Sequence, residues 1–185
     1  MRKTLIIIAA LLLAAVTAKA QTNPHEINFY IGGYNSQFLE YKTDQNTAMD
    51  LYSLYEPMYN VTTGPVLTVD YNYSVLKWLS VGAQLHYSQI TVNSYTRIEG
   101  SSNTAKRNIF CFLPEAKLRI PSPAHFRMYG RLAAGISYTP SLGVRFAYDI
   151  VPFGIEWGGQ RVYGTAEVVY GNVIKGGRIG MGFRF

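Results

Sequence analysis

His86-Tyr87-Ser88 is the place in this 185-residue chain where a base and a nucleophile stand at a spacing that could do chemistry. On a strand, residues two apart share a face. The imidazole and the hydroxyl would lie side by side and, with a carboxylate to orient the histidine, would make a base-activated serine for acyl transfer. Other chemistries find less support. His25, His86 and His125 do not cluster, and there is neither an H-E-x-x-H motif nor a glycine loop shaped for phosphate. No cofactor and no metal are expected. Cys111, the single cysteine, cannot form an internal disulfide. Its parity places it on the same kind of face as His86, as an inert buried thiol.

What His86 and Ser88 can reach depends on the strand that carries them. LSVGAQLHYSQ (79–89) sets Leu79, Val81, Ala83, Leu85 and Tyr87 against Ser80, Gln84, His86 and Ser88, a period of two with one apolar face. The same alternation recurs in HEINFYIGGY (25–34), PVLTVDYNYSV (65–75), NIFCFLPEAKLRI (108–120), FRMYGRLAAGISY (126–138) and RVYGTAEVVYG (161–171). VRFAYDI (144–150) continues toward Trp157 past a bulge expected at Pro152. GGRIGMGFRF (176–185) alternates to the last residue, with Ile179, Met181, Phe183 and Phe185 on one face. That makes eight strands. The connections expected after the first and third, residues 35–62 and about 93–107, are long. Those after the second, fourth and sixth are short.

The first twenty residues have a different character. Arg2 and Lys3 precede twelve apolar residues, Leu5 to Val16, and Ala18 and Ala20 make an A-x-A cleavage pattern. This is the layout of a secretory signal peptide, so residues 1–20 are expected to be removed and 21–185 to form one domain. Loss of Arg2, Lys3 and Lys19 leaves fourteen basic against eleven acidic side chains, lowering the net charge from +6 to +3. That excess, with no Lys/Arg block, does not point to nucleic acid. Beyond the leader no apolar run reaches about 18 residues, so no transmembrane helix is expected.

Exported, rich in tyrosine and alternating throughout, the chain fits two architectures: a soluble sandwich or lipocalin-like barrel, or a membrane barrel with its apolar face turned to lipid. The polar face carries Glu26, Asp70, Glu115, Lys117, Arg119, Arg127, Arg131, Arg145, Asp149, Glu167, Arg178 and Arg184. Tyr71, Tyr73, Tyr87, Tyr138, Tyr148, Tyr170, Phe183 and Phe185 stand near strand ends, as girdles at two membrane interfaces would. The expected fold is therefore all-β, a transmembrane antiparallel eight-stranded up-and-down barrel, a monomer in outer-membrane lipid. An even strand count puts both termini on the short-turn, periplasmic side.

The stretches 50–73, 76–87 and 151–171, with the GFRF end, resemble the small outer-membrane β-barrel proteins of Bacteroidetes, similar in architecture to the transmembrane domain of OmpA and to OmpX. The resemblance implies a non-enzymatic outer-membrane barrel. It also implies that Gly180, Phe183 and Phe185 are the signal read by the barrel-assembly machinery. His86 and Ser88 resemble the pair of the lipid A deacylases, also small barrels, but Gln89 stands where the deacylase pattern has Asn. In this chain the parity turns both side chains into the lumen, away from any acyl chain in the bilayer. A small gated pore is the other alternative, opposed by the narrow interior of eight strands and its long charged side chains.

One segment is left for a partner. Residues 35–62 are longer than closure needs and aromatic, and 47–55 are expected to form one or two helical turns ended by Pro57. Leu51, Tyr52, Leu54, Tyr55 and Tyr59 would there form a lid over the barrel mouth or a surface for an extracellular ligand or protein.

Overall fold

The structure, a computed structural model, describes residues 24–36, 58–96, 101–120, 126–140 and 143–185. Nine strands account for nearly all of them: β1 (His25–Asn35), β2 (Met58–Thr63), β3 (Val66–Ser74), β4 (Leu79–Thr96), β5 (Ser101–Ile120), β6 (Phe126–Thr139), β7 (Gly143–Gly158), β8 (Val162–Gly171) and β9 (Ile174–Arg184). Each pairs antiparallel with its neighbour, and β9 pairs with β1, so the sheet closes. β2 and β3 both pair with β4 and are separated only by Gly64-Pro65. They form one stave, interrupted where proline lacks a donor. The result is a closed, eight-stave, up-and-down barrel.

Alternation decides which way each side chain points. Phe29, Ile31, Leu67, Val69, Leu85, Phe112, Leu132, Ile136, Val168, Ile179 and Met181 stand exposed on the outside. Their neighbours Asn28, Tyr30, Thr68, Asp70, Gln84, Cys111, Arg131, Glu167 and Arg178 are buried inside. A soluble domain of this size would leave no such continuous apolar surface, whereas a barrel in lipid requires one. Two aromatic belts edge it. At the end carrying His25 and Phe185 stand Tyr71, Tyr73, Phe126, Trp157 and Phe183; at the far end stand Tyr34, Tyr87, Phe110, Tyr138 and Tyr170.

Glycine makes room where large side chains turn inward. A Cβ at Gly182 would lie 2.1 Å from the Tyr163 ring, one at Gly154 2.5 Å from Tyr129, and one at Gly180 2.8 Å from Tyr30. Three interior tyrosines are thus each seated on a glycine of an adjacent stave.

The sequence expectations need correcting in four places. Of the connection assigned to about 93–107, residues 93–96 and 101–107 are strand: β4 and β5 stay in register up to Thr96↔Ser101. Their Ser, Thr and Asn content suits a strand as well as a loop. The 35–62 connection likewise contains β2, and β9 begins at Ile174, leaving Asn172 and Val173 as the β8–β9 turn. The interior is not polar throughout. Val66, Ile90, Ile109, Val169, Val173 and Ile174 are buried in the far-end portion. Finally, Arg145 is exposed and Arg127 half-buried, because both lie toward strand ends, beyond the packed interior. The bulge at Pro152 is present, as a register shift between Ile150 and Phe153.

Candidate functional site

The inward-facing polar residues build two ion clusters and a third, smaller node. Near the His25/Phe185 end, Lys117 Nζ lies 2.7 Å from Glu26 and 2.6 Å from Glu156, and 4.2 Å from the centre of the Tyr129 ring. Arg119 reaches Glu26 at 2.6 Å and donates to Ser74 and Ser80. Arg184 pairs with Glu26 at 2.9 Å and with Glu156, its guanidinium 3.7 Å from the Tyr163 ring centre. Charge-assisted contacts of this kind satisfy each other only when both partners stay in place.

Asn28 joins this cluster to the next. Its Nδ2 donates to Glu26 and to Asp70, and its Oδ1 accepts from the Tyr163 hydroxyl. In the middle of the barrel Arg131 contacts Asp70 at 2.7 Å, Glu167 at 2.5 Å and Glu115 at 3.5 Å. Arg178 contacts Glu167 at 2.8 Å and donates to Thr68 and Gln84. The Tyr30 ring lies against both guanidiniums, at 5.4 and 4.6 Å. Arg131 stands on β6 and Asp70 on β3, three staves apart, so the pair crosses the lumen. Lys117 on β5 does the same toward Glu26 on β1.

The third node holds His86. Its Nε2 lies 3.2 Å from Asp149, and its Nδ1 is bonded to the Thr68 hydroxyl at 2.7 Å. Ser88 is not its partner, since the Ser88 hydroxyl accepts from Asn35 Nδ2 at 2.7 Å. Parity does bring His86 and Ser88 to one face, but local bonding sends them to different neighbours. His86, Thr68, Ser88 and Asp149 are all buried. A groove of about 740 Å3 runs across the β3–β1–β9 seam, lined mostly by outward residues such as Phe29, Leu67, Val69, Ile179 and Met181. Thr68 is in its lining, but His86, Ser88 and Asp149 are not. Cys111 faces inward opposite His86, buried as expected.

Glu156 is a functional neighbour that alternation alone misses. Upstream of Pro152 the odd residues of β7 point inward (Ala147, Asp149, Val151); downstream the even ones do (Gly154, Glu156). The bulge inverts the phase, and only a count restarted at Pro152 would have found it.

Of the residues singled out for assembly, Gly180 faces inward beneath Tyr30, while Phe183 and Phe185 face outward. Leu51, Tyr52, Leu54 and Tyr55, with the helical turns expected at 47–55, lie outside the described residues. Tyr59 is in β2 opposite Ser94. Among the described residues no group of three or more His, Cys, Asp or Glu is placed to hold a metal.

No curated protein matches the chain. Among solved structures, a chain from the de novo design of transmembrane β-barrels is similar, at 10% identity and a TM-score of 0.47, over 90% of this chain and 100% of that one. A likeness so distant carries no argument. The family of outer membrane protein β-barrel domains matches residues 6–173, and the chain belongs to it.

Proposed function

We propose that this protein is a non-enzymatic outer-membrane barrel with a structural and surface-interaction role, closed to ions by its own interior. Family membership carries the location, an outer membrane. The observation that supports a closed interior is the set of pairs crossing the lumen, Arg131 with Asp70 and Lys117 with Glu26. Eight staves enclose a space that side chains can fill, and these side chains meet in its middle. Aliphatic packing of Val66, Ile90, Ile109 and Ile174 supports the same reading at the far end.

The polypeptide would be exported by residues 1–20 and would have both ends of the barrel domain in the periplasm, as a monomer assembled by the barrel-assembly machinery. That places the long β4–β5 hairpin and the segment after β1 outside the cell. The resemblance to OmpX-type barrels of Bacteroidetes supports this reading. A lipid-modifying reaction at His86 and Ser88 is disfavoured by their burial and by their separate partners.

Planar-bilayer recording tests the closed interior. In neutral KCl the purified protein should show no sustained open level, and Arg131→Ala should increase leak. A steady wild-type conductance would favour the pore reading and defeat this one.

A further inference from the structure

The His25/Phe185 end of the lumen holds more positive charge than its own carboxylates match. Lys117, Arg119 and Arg184 share Glu26 and Glu156 between them. Arg127 is a further cation at this end. It has the inward parity of Tyr129 and Arg131 on β6, one pleat nearer the mouth than Tyr129, and its backbone lies opposite Glu156. The charges that act on it are Arg184, Glu156, Arg119 and Glu26. Its side chain is half-buried, yet among the described residues it makes neither a hydrogen bond nor an ion pair of its own. We propose that this mouth binds a phosphate monoester, gripped by Arg127 together with Arg119 and Arg184.

Nothing else at this end cancels the surplus. Residues 1–23 and 121–125 contain no Asp or Glu. The carboxylate on Phe185 is offset by exposed Arg161, whose carbonyl accepts from the Arg184 N–H. Lys77 is another exposed cation on the same rim. The middle cluster has the opposite imbalance, with Asp70, Glu115 and Glu167 around Arg131 and Arg178. It lies about 13 Å further in, four residues along β6 at roughly 3.3 Å each, with the Tyr129 ring between. The positive excess is the part that faces water.

The unspent donors belong to the same three arginines. Arg119 commits Nη1 to Ser74 and Ser80 and Nη2 to Glu26, and its buried Nε has no partner. Arg184 commits Nε to Glu26 and Nη2 to Glu156, leaving Nη1 without a bond among the described residues. A guanidinium is a rigid fork of donors that matches phosphate oxygens two at a time. Charge then narrows the class. Four cations, Lys117, Arg119, Arg127 and Arg184, stand against two carboxylates, Glu26 and Glu156. A phosphate monoester carries about 1.5 to 2 negative charges at pH 7 and balances that excess, whereas a carboxylate or a phosphodiester brings a single charge. Confined charge left without a counter-charge is costly, so the anion completes the cluster.

In the reading above this mouth opens on the periplasm, but the site stands whichever way the barrel points, so the two can fail separately. The test is calorimetry on the full chain in phosphatidylcholine nanodiscs, which expose both ends, with inorganic phosphate as the probe. Phosphate should bind saturably and at least tenfold more tightly than acetate. Arg127→Ala should weaken it tenfold or more and Arg127→Lys by less. Both variants should keep the heat-dependent gel shift of a folded barrel, since Arg127 has no ion pair to lose. Lys77→Ala, on the rim, should change the affinity less than twofold. Phosphatidic acid in the nanodisc should compete with the probe where the phosphate is a lipid's, and phosphatidylglycerol, a diester, should not. Binding indifferent to phosphatidic acid would assign the same site to a soluble ester. No saturable phosphate binding, equal affinity for acetate, full binding by Arg127→Ala, or an equal loss in Lys77→Ala would overturn the proposal.

Discussion

His25 and Phe185 close the barrel. Each donates its backbone N–H to the other's carbonyl, at 3.1 and 3.0 Å, and their rings stack 5.6 Å apart at 16°. Tyr71 holds the imidazole in place through a 2.7 Å bond to Nδ1. The last residue is thus joined to the first strand by main chain and side chain together, at the edge of the aromatic belt where both can remain partly wet. Phe183 extends the same seam, facing Ile27 across β1.

Replacing Phe183 and Phe185 together by Ser should therefore lower the outer-membrane level several-fold, with export intact. Quantitative immunoblotting of periplasmic and membrane fractions checks this. Unchanged assembly would remove both the seam argument and the proposed recognition of Gly180, Phe183 and Phe185 by the assembly machinery.

The interior clusters predict an asymmetry between single and paired substitutions. Arg131→Met leaves Asp70 and Glu167 without their shared cation and should cost about 3–5 kcal/mol, the penalty of a broken buried pair. Arg131→Met with Asp70→Leu should recover a good part of that loss, because Asp70 is the carboxylate left without a cation, whereas Glu167 keeps Arg178. Urea unfolding in lipid vesicles, followed by tryptophan emission, measures both. Equal losses for the single and double variants would show that the charges do not act as a unit.

Glycine seating gives a second stability test. Gly182→Ala drives a Cβ into the Tyr163 ring, a clash that should cost about 1–3 kcal/mol. Adding Tyr163→Ala removes the clash with the ring, but it also removes the bond to Asn28 Oδ1 and leaves the new Cβ against that same oxygen, so only part of the stability should return. A neutral Gly182→Ala would mean that the ring moves freely in the lumen.

Orientation can be read from two lysines at opposite ends. Lys106 is exposed at the far end and Lys77 is exposed in the turn between β3 and β4. A membrane-impermeant amine reagent should modify Lys106 on intact cells, and Lys77 only after the outer membrane is opened. The reverse pattern would invert the topology.

His86→Ala and Ser88→Ala should leave the host's lipid A acylation pattern unchanged by mass spectrometry. An acyl species lost with either variant would restore the enzyme reading.

How much of this was legible in the sequence depended on phase. Wherever a strand alternates without interruption, as in 67–73 or 81–88, the inward and outward sets are those that parity gives. Where Pro152 inserts a residue, the phase flips and Glu156 drops out of the polar face. Polarity misled differently at 93–107. Ser, Thr, Asn and Lys are what a solvent-exposed hairpin needs on both faces, so composition alone could not separate strand from loop. Ile90 and Ile109 were hidden by the expectation of a polar lumen, although each has the parity of its buried neighbours Ser88 and Cys111. Partner choice inside was out of reach. Ser88 bonds to Asn35, and His86 bonds to Thr68 and approaches Asp149, contacts between staves up to three apart that no local spacing encodes.

The central claim is that the alternating apolar face meets lipid while its opposite fills the barrel. Nitroxide labels on Cys substituted one at a time for Leu132, Ile136, Val168 and Ile179, in a Cys111→Ser background, test it most directly. In vesicles all four should collide freely with dissolved oxygen and scarcely with a water-soluble nickel chelate, whereas a label at Thr104 should show the opposite. If the four strand sites were open to the nickel chelate and closed to oxygen, the apolar face would not be a lipid face, and the account would be wrong.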